Sequence, residues 1–169
     1  MVRRIPSVFV TDIDEVATRL AAQPGPLIVI FDADNTVVPQ GASPEEFAGR
    51  LNDAIDRFEQ LESVTQVIVI SNGPQRGADR MISRVNKPWT SRKRLGISRR
   101  SKTPVWVIGD QVISDGLLAW RLGATFFHCA IDPDDDFPGQ AGQRRLGRLV
   151  APLILRQRPL SGPRRGTRR

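Results

Sequence analysis

Residues 26–38 read PLIVIFDADNTVV, and the fold follows from the way that stretch changes character. From Leu27 to Phe31 it is unbroken and apolar; at Asp32 it turns into acid, amide and hydroxyl. A short β-branched run without alternation predicts a strand buried on both faces, as in a parallel sheet covered by helices. In open α/β sheets, ligand and catalytic groups gather at the carboxyl ends of such strands. Asp32 is the first polar residue past that end, and Asp34 follows two positions on. Two carboxylates on one turn repel each other unless a cation or a difference in protonation separates their roles.

Working outward, residues 5–10 (IPSVFV) predict an extended lead-in. Thr11 or Asp12 then caps a helix over 13–22. Asp12 and Asp14 repeat the Asp32/Asp34 spacing but read as helix-start acids. Ser43-Pro44-Glu45-Glu46 is a capping box with proline at the first helical position, and helical spacing continues to about residue 62. Residues 65–70 (TQVIVI) predict a second buried strand ending in Ser71-Asn72-Gly73-Pro74. A helix is expected over 76–85, a break at Lys87-Pro88, and a further helix over 89–95 closed by Gly96. Residues 105–108 predict a third strand, 112–122 a helix capped by Gly123, and 124–130 another strand. Strands alternating with helices imply a Rossmann-like three-layer α/β/α sandwich around a parallel sheet.

The chain of 169 residues is long enough for one domain with a proper core. Its single cysteine, Cys129, excludes an intramolecular disulfide and a cysteine-cluster metal site, and reads as a small buried residue. There is no signal-peptide pattern and no run near the roughly 20 apolar residues of a membrane span, so a cytoplasmic protein is expected. The net charge of +7 is uneven. From residue 144 onward there are nine arginines and no acids, leaving 16 basic against 18 acidic residues elsewhere. The reading is therefore a domain over 1–143, with its core at about 26–131, and a basic tail over 144–169. In that tail Leu146, Leu149, Val150, Leu153 and Ile154 follow helical spacing, with Pro152 against continuity, and are expected to dock on the domain. Its arginines suit peripheral contact with an anionic membrane, and nucleic acid less well.

Three strand ends thus carry polar groups: Asp32 and Asp34; Ser71 and Asn72; Asp110, with Asp115 five residues on. Lys87 lies between the second and third. Acids without usable cysteine, and with His128 the lone histidine, suggest a hard, oxygen-loving cation such as Mg²⁺. A lysine and a hydroxyl beside it suit a phosphoryl group. An aspartate there can attack phosphorus and form an aspartyl-phosphate that water hydrolyses.

These pieces resemble the haloacid dehalogenase (HAD) superfamily of phosphatases. Its first motif, D-x-D-x-T, matches Asp32-Ala33-Asp34-Asn35-Thr36; its second falls on Ser71, its third on Lys87-Pro88, and its fourth on GDQVISD, with Asp110 and Asp115. Within the superfamily the chain is most similar to subfamily IIIA, the YqeG-type branch that includes phosphatidylglycerophosphate phosphatases, over about residues 6–131. The resemblance implies Asp32 as nucleophile and metal ligand. Asp34 would be the acid/base, its carbonyl on the metal, and Asp110 a metal ligand. Ser71, with Asn72 beside it, and Lys87 would hold phosphoryl oxygens. Asp115 would support the metal from behind, and Thr36 and Asn35 would brace the loop. Lys102 is the alternative to Lys87, at the amino end of its strand. Only 39 positions separate Asp32 from Ser71 and 16 separate Ser71 from Lys87. That leaves no room for a cap domain and squeezes the edge strand, so bulky lipid, glycan, nucleic-acid or protein phosphates suit the open site. The competing readings are a phospho-accepting receiver-like domain, which lacks an acid in the place of Asp34, and a non-catalytic protein that binds anionic surfaces or nucleic acid.

Overall fold

A computed structural model describes residues 3–38, 41–76, 78–129 and 140–157. Seven strands among them form one all-parallel sheet: β1 (Ile5–Val10), β2 (Leu27–Asp32), β3 (Val64–Ile70), β4 (Met81–Ile82), β5 (Val105–Gly109), β6 (Thr125–Cys129) and β7 (Leu155–Gln157). The α-helices are α1 (Ile13–Ala21), α2 (Pro44–Glu59), α3 (Leu117–Leu122) and α4 (Gln140–Ile154). Strand order is β4-β3-β2-β5-β6-β1-β7. From β2 the chain moves one way to β3 and β4, then crosses back so that β5 lies on β2's other side. The reversal point is therefore the gap between the ends of β2 and β5, where such sheets open a crevice.

Every residue of β2 is buried, as its unbroken apolar run predicts. Val29 and Phe31, with Trp106, Ile108 and Phe127, share an apolar cluster with Leu20 of α1 and Phe47, Leu51 and Phe58 of α2. Ile28 and Ile30, with Ile68, Val107 and Phe126, share the other cluster with Leu118 of α3 and Ile154 of α4. The period-2 alternation of a strand divides the core in this way. Each fully buried large apolar side chain contributes roughly 1.5–3 kcal/mol. No helix among the described residues is long and apolar enough to cross a membrane.

Helix starts follow their capping residues. Asp12 accepts from the Glu15 amide at 2.9 Å and Ser43 from the Glu46 amide at 3.1 Å. Asp14 pairs with Arg57, so the second D-x-D serves helix and surface. Gly123 takes φ +68 and closes α3.

Four expectations fail. No helix forms over 76–85 among the described residues. Met81 and Ile82 instead pair with Val69 and Ile70 as a two-residue edge strand, and the Val85 and Arg84 amides donate back to the Ser71 and Gly73 carbonyls. With 16 positions from Ser71 to Lys87, the chain cannot build a helix and still return to the sheet edge. The second expected helix, over 89–95, is a 3₁₀ turn at Lys87–Trp89 followed by tight turns ending at Gly96, φ +69. Trp89 is 74% exposed there, its ring under the Arg121 guanidinium, so it adds no core contact to support a longer helix.

The helix over 112–122 is two pieces, a π turn at Val112–Gly116 and then α3. Residue 144, where the basic tail is expected to begin, falls inside α4, and β7 beyond it pairs with β1, Ile5 opposite Leu155. The leucine stripe also faces the wrong way. Ile154 is buried and Val150 half-buried, but Leu146, Leu149 and Leu153 are exposed. Gly147 packs against Val112 and Ile113, a contact close enough that a smaller-than-leucine arc sits against the body. Residues 158–169 and the 130–139 segment lie outside the described residues.

Candidate active site

The carboxyl ends of β2 and β5 bring together four buried charged side chains. Asp32 ends β2; Asp110 follows β5; Asp115 lies on the π turn; Lys87 opens the 3₁₀ turn beyond the β4 edge. Lys87 is 2% exposed, and its Nζ lies 2.5 Å from Asp32 Oδ2 and 3.0 Å from Asp115 Oδ1. Carboxylate oxygens of Asp32, Asp110 and Asp115 fall within 4.8 Å of one another.

The backbone arranges this approach. Gly109 sits so near Asp115 that a Cβ there would lie 2.4 Å from the Asp115 carboxyl carbon. The π turn brings Asp115 back over the strand end, where its Oδ2 accepts from the Gln111 amide at 3.2 Å. His128, on β6, donates from Nε2 to the Asp110 carbonyl at 2.8 Å and so holds the Gly109–Gln111 loop.

Three carboxylates beside one ammonium leave an excess of negative charge in a buried place. Burial holds the Asp32 pKa well above the ordinary carboxylate value, Asp115 and Asp110 push the same way, and Lys87 opposes them. For Lys87, burial alone would favour the neutral amine. Asp115 and Asp32 outweigh it, and the pKa lies above the ordinary lysine value. Lys87 is therefore a charged ammonium, and the Asp32 carboxylate is short of compensation. Asp32 Oδ1 is buried with no hydrogen-bond partner among the described residues. An all-oxygen donor set with that deficit fits a hard divalent cation.

A second group stands at the mouth. Ser71 donates to Asp34 Oδ2 at 2.5 Å and accepts from the Gly73 amide at 2.8 Å. Arg76 Nη1 lies 3.3 Å from Asp34 Oδ1, with its guanidinium over the Phe47 ring. Asp34 is about a third exposed, in contrast to Asp32. The loop that carries it is sharp: Asn35 takes φ +59, and its amide donates to the Val38 carbonyl.

The D-x-D turn thus sends its two carboxylates to different surroundings, one into the buried cluster and one towards solvent. Of the sequence-derived residues, the structure gathers Asp32, Asp110, Asp115 and Lys87 into one cluster, with Asp34 and Ser71 at its edge. Asp115 stands in the cluster itself. Asn72 is exposed on the loop, and Thr36 is buried behind the turn with its Oγ1 unpartnered. Lys102 is exposed, before the amino end of β5.

No family model, curated protein or solved structure matches the chain. Its chemistry is therefore read from its own geometry. Arg76 is the residue that sequence reasoning missed. Helical spacing puts it at the start of a helix, whereas its position three residues past Gly73, in the Ser71 loop, is the signal that points to the site. Beyond Asp110 a cleft of about 860 Å³ runs beneath α4, lined by Phe9, Val112 and Leu155 and edged by Arg4 and Arg156. Cys129 borders it, but burial, and to a smaller degree Asp110, push its thiol up to about 12, so it is no nucleophile at neutral pH.

Proposed function

We propose that the chain is a Mg²⁺-dependent phosphomonoester hydrolase of haloacid dehalogenase type, an α/β/α sandwich without a cap domain, working through an aspartyl-phosphate on Asp32. The observation that supports this reading most is the Asp32 carboxylate itself: undercompensated, at the reversal point of the sheet, and packed with one ammonium and two further carboxylates.

Asp32, Asp110 and Asp115 would hold the ion, which when bound offsets their charge and that of the phosphoryl oxygens. A carboxylate oxygen of Asp32 attacks phosphorus as the ester P–O bond breaks. Asp34, at the mouth and outside the cluster, gives its proton to the departing alcohol oxygen. It then takes a proton from the water that attacks phosphorus, which frees phosphate and restores Asp32. Lys87 and the Ser71 hydroxyl bind phosphoryl oxygens, and Arg76 is placed to add a third donor.

Between Asp32 and Ser71 the described chain is occupied by the D-x-D loop, α2 and β3. The cleft of about 860 Å³ beside Asp110 favours a bulky ester over a small metabolite. The resemblance to the YqeG-type branch makes phosphatidylglycerophosphate the leading specific substrate. Asp34, two positions after the phosphorylated residue, favours hydrolysis over a receiver that stores its phosphoryl group.

The test is phosphate release from an aryl phosphate by the purified chain, with Mg²⁺ and with EDTA. Metal-dependent turnover is expected. Release that persists in EDTA, or none in either condition, overturns the reading.

A further inference from the structure

α4 turns its longest apolar side chains away from the body. Leu146, Leu149 and Leu153 are 52%, 71% and 57% exposed. Their spacing of three and then four residues puts them in one row along the helix. The arc that meets the domain is made of Gly147, Val150, Ala151 and Ile154. An ordinary surface helix does the reverse, burying leucine and showing small or polar residues. One exposed leucine needs no explanation, whereas an aligned row of three marks a surface that meets something.

Charge says what that something is. From residue 137 to the end of the sequence there is no acid, and nine arginines fall in the stretch. Arg145 and Arg148 are exposed on the same helix, Arg145 beside the leucine row and Arg148 further round, where it lines the cleft, and Arg156 is exposed just beyond the helix. We propose that this face of α4 docks on an anionic lipid surface, the leucines entering the boundary between headgroups and acyl chains while the arginines meet lipid phosphates. Long arginine side chains can reach up past a helix lying in that plane, so the two kinds of residue act together.

A nucleic acid would satisfy the arginines but offers the leucine row no apolar partner. A second copy meeting α4 with α4 would cover the leucines, but it would bring together two arginine-bearing segments that have no acid between them. The docking does not depend on the hydrolase reading.

The experiment is co-sedimentation of the full chain with vesicles of phosphatidylcholine alone or with about 40% phosphatidylglycerol. Binding to the anionic vesicles, weakened in about 0.5 M salt, is expected. The variant Leu146→Gln/Leu149→Gln/Leu153→Gln should lose at least about tenfold in partitioning. It should keep its thermal transition and its turnover of a soluble aryl phosphate.

Equal binding to both vesicle types overturns the proposal. So does a triple variant that binds like the parent, because the leucines would then play no part. A parent that is a dimer and a variant that is a monomer would give the face to a second copy instead. Should the triple variant unfold, Leu149→Cys carrying a polarity-sensitive dye reads the same surface, Cys129 being buried. A blue shift on anionic vesicles is expected, and an unshifted spectrum refutes the docking.

Discussion

Gly109 and Asp115 are in contact across the β5 turn, with no space between the strand end and the carboxylate that returns over it. Gly109→Ala would force Asp115 away from Lys87 and disturb the cluster. We expect a loss of about 1–3 kcal/mol in urea unfolding, and a smaller rise in melting temperature on adding Mg²⁺ than the parent shows. An alanine variant with unchanged stability and metal response would mean that Asp115 can move without consequence.

Asp32→Asn should separate activity from stability. The carboxylate is buried and undercompensated, so its amide should hold the apo fold at least as well as the parent does, while aryl phosphate turnover vanishes. Asp34→Asn should lower turnover by about 10²–10⁴-fold through loss of the proton donor. Normal turnover in the second variant would remove the acid/base role from Asp34.

The raised Asp32 pKa has a definite sign in pH titrations. Between the ordinary carboxylate value of 3.8 and the higher folded value, the folded state holds a proton that the unfolded state has released. Its contribution to stability therefore falls as pH rises through that window. The stability difference between parent and Asp32→Asn, measured without metal, should move against the parent as pH increases. Mg²⁺ should cancel part of that trend, and a difference that is flat with pH would contradict it.

Lys87→Met would leave buried carboxylates facing one another with no ammonium. A cost of about 3–5 kcal/mol is expected, partly recovered with Mg²⁺. Lys102→Ala, at an exposed position, should change stability by no more than about 0.5 kcal/mol and leave turnover alone. Equal effects in the two variants would dissolve the distinction between these lysines.

The strands and the cluster were legible because an apolar run that stops at an acid admits few interpretations. Helical periodicity was less reliable. Ala78, Met81, Ile82 and Val85 have the spacing of a helix face, yet all are apolar for another reason: they close the sheet edge and the turn after it. The limit there was chain length, which periodicity does not register. In α4 the pattern located the apolar residues but not their direction. Val150 and Ile154 adjoin the leucine row on the helix surface, and only the fit of Gly147 against Val112 and Ile113 settles which arc turns inward. The π turn left no sign in the sequence, since Val112 to Leu122 is compatible with a continuous helix.

β1 lies between β6 and β7, its Ser7 opposite Phe126 and its Ile5 opposite Leu155. During synthesis that strand must wait for nearly all the described chain before either neighbour exists. Contacts so distant along the chain form slowly, so closure of this edge should be the late event in folding. A ribosome-bound intermediate halted before β6 would show β1 bare to solvent, which gives chaperones a defined place to engage.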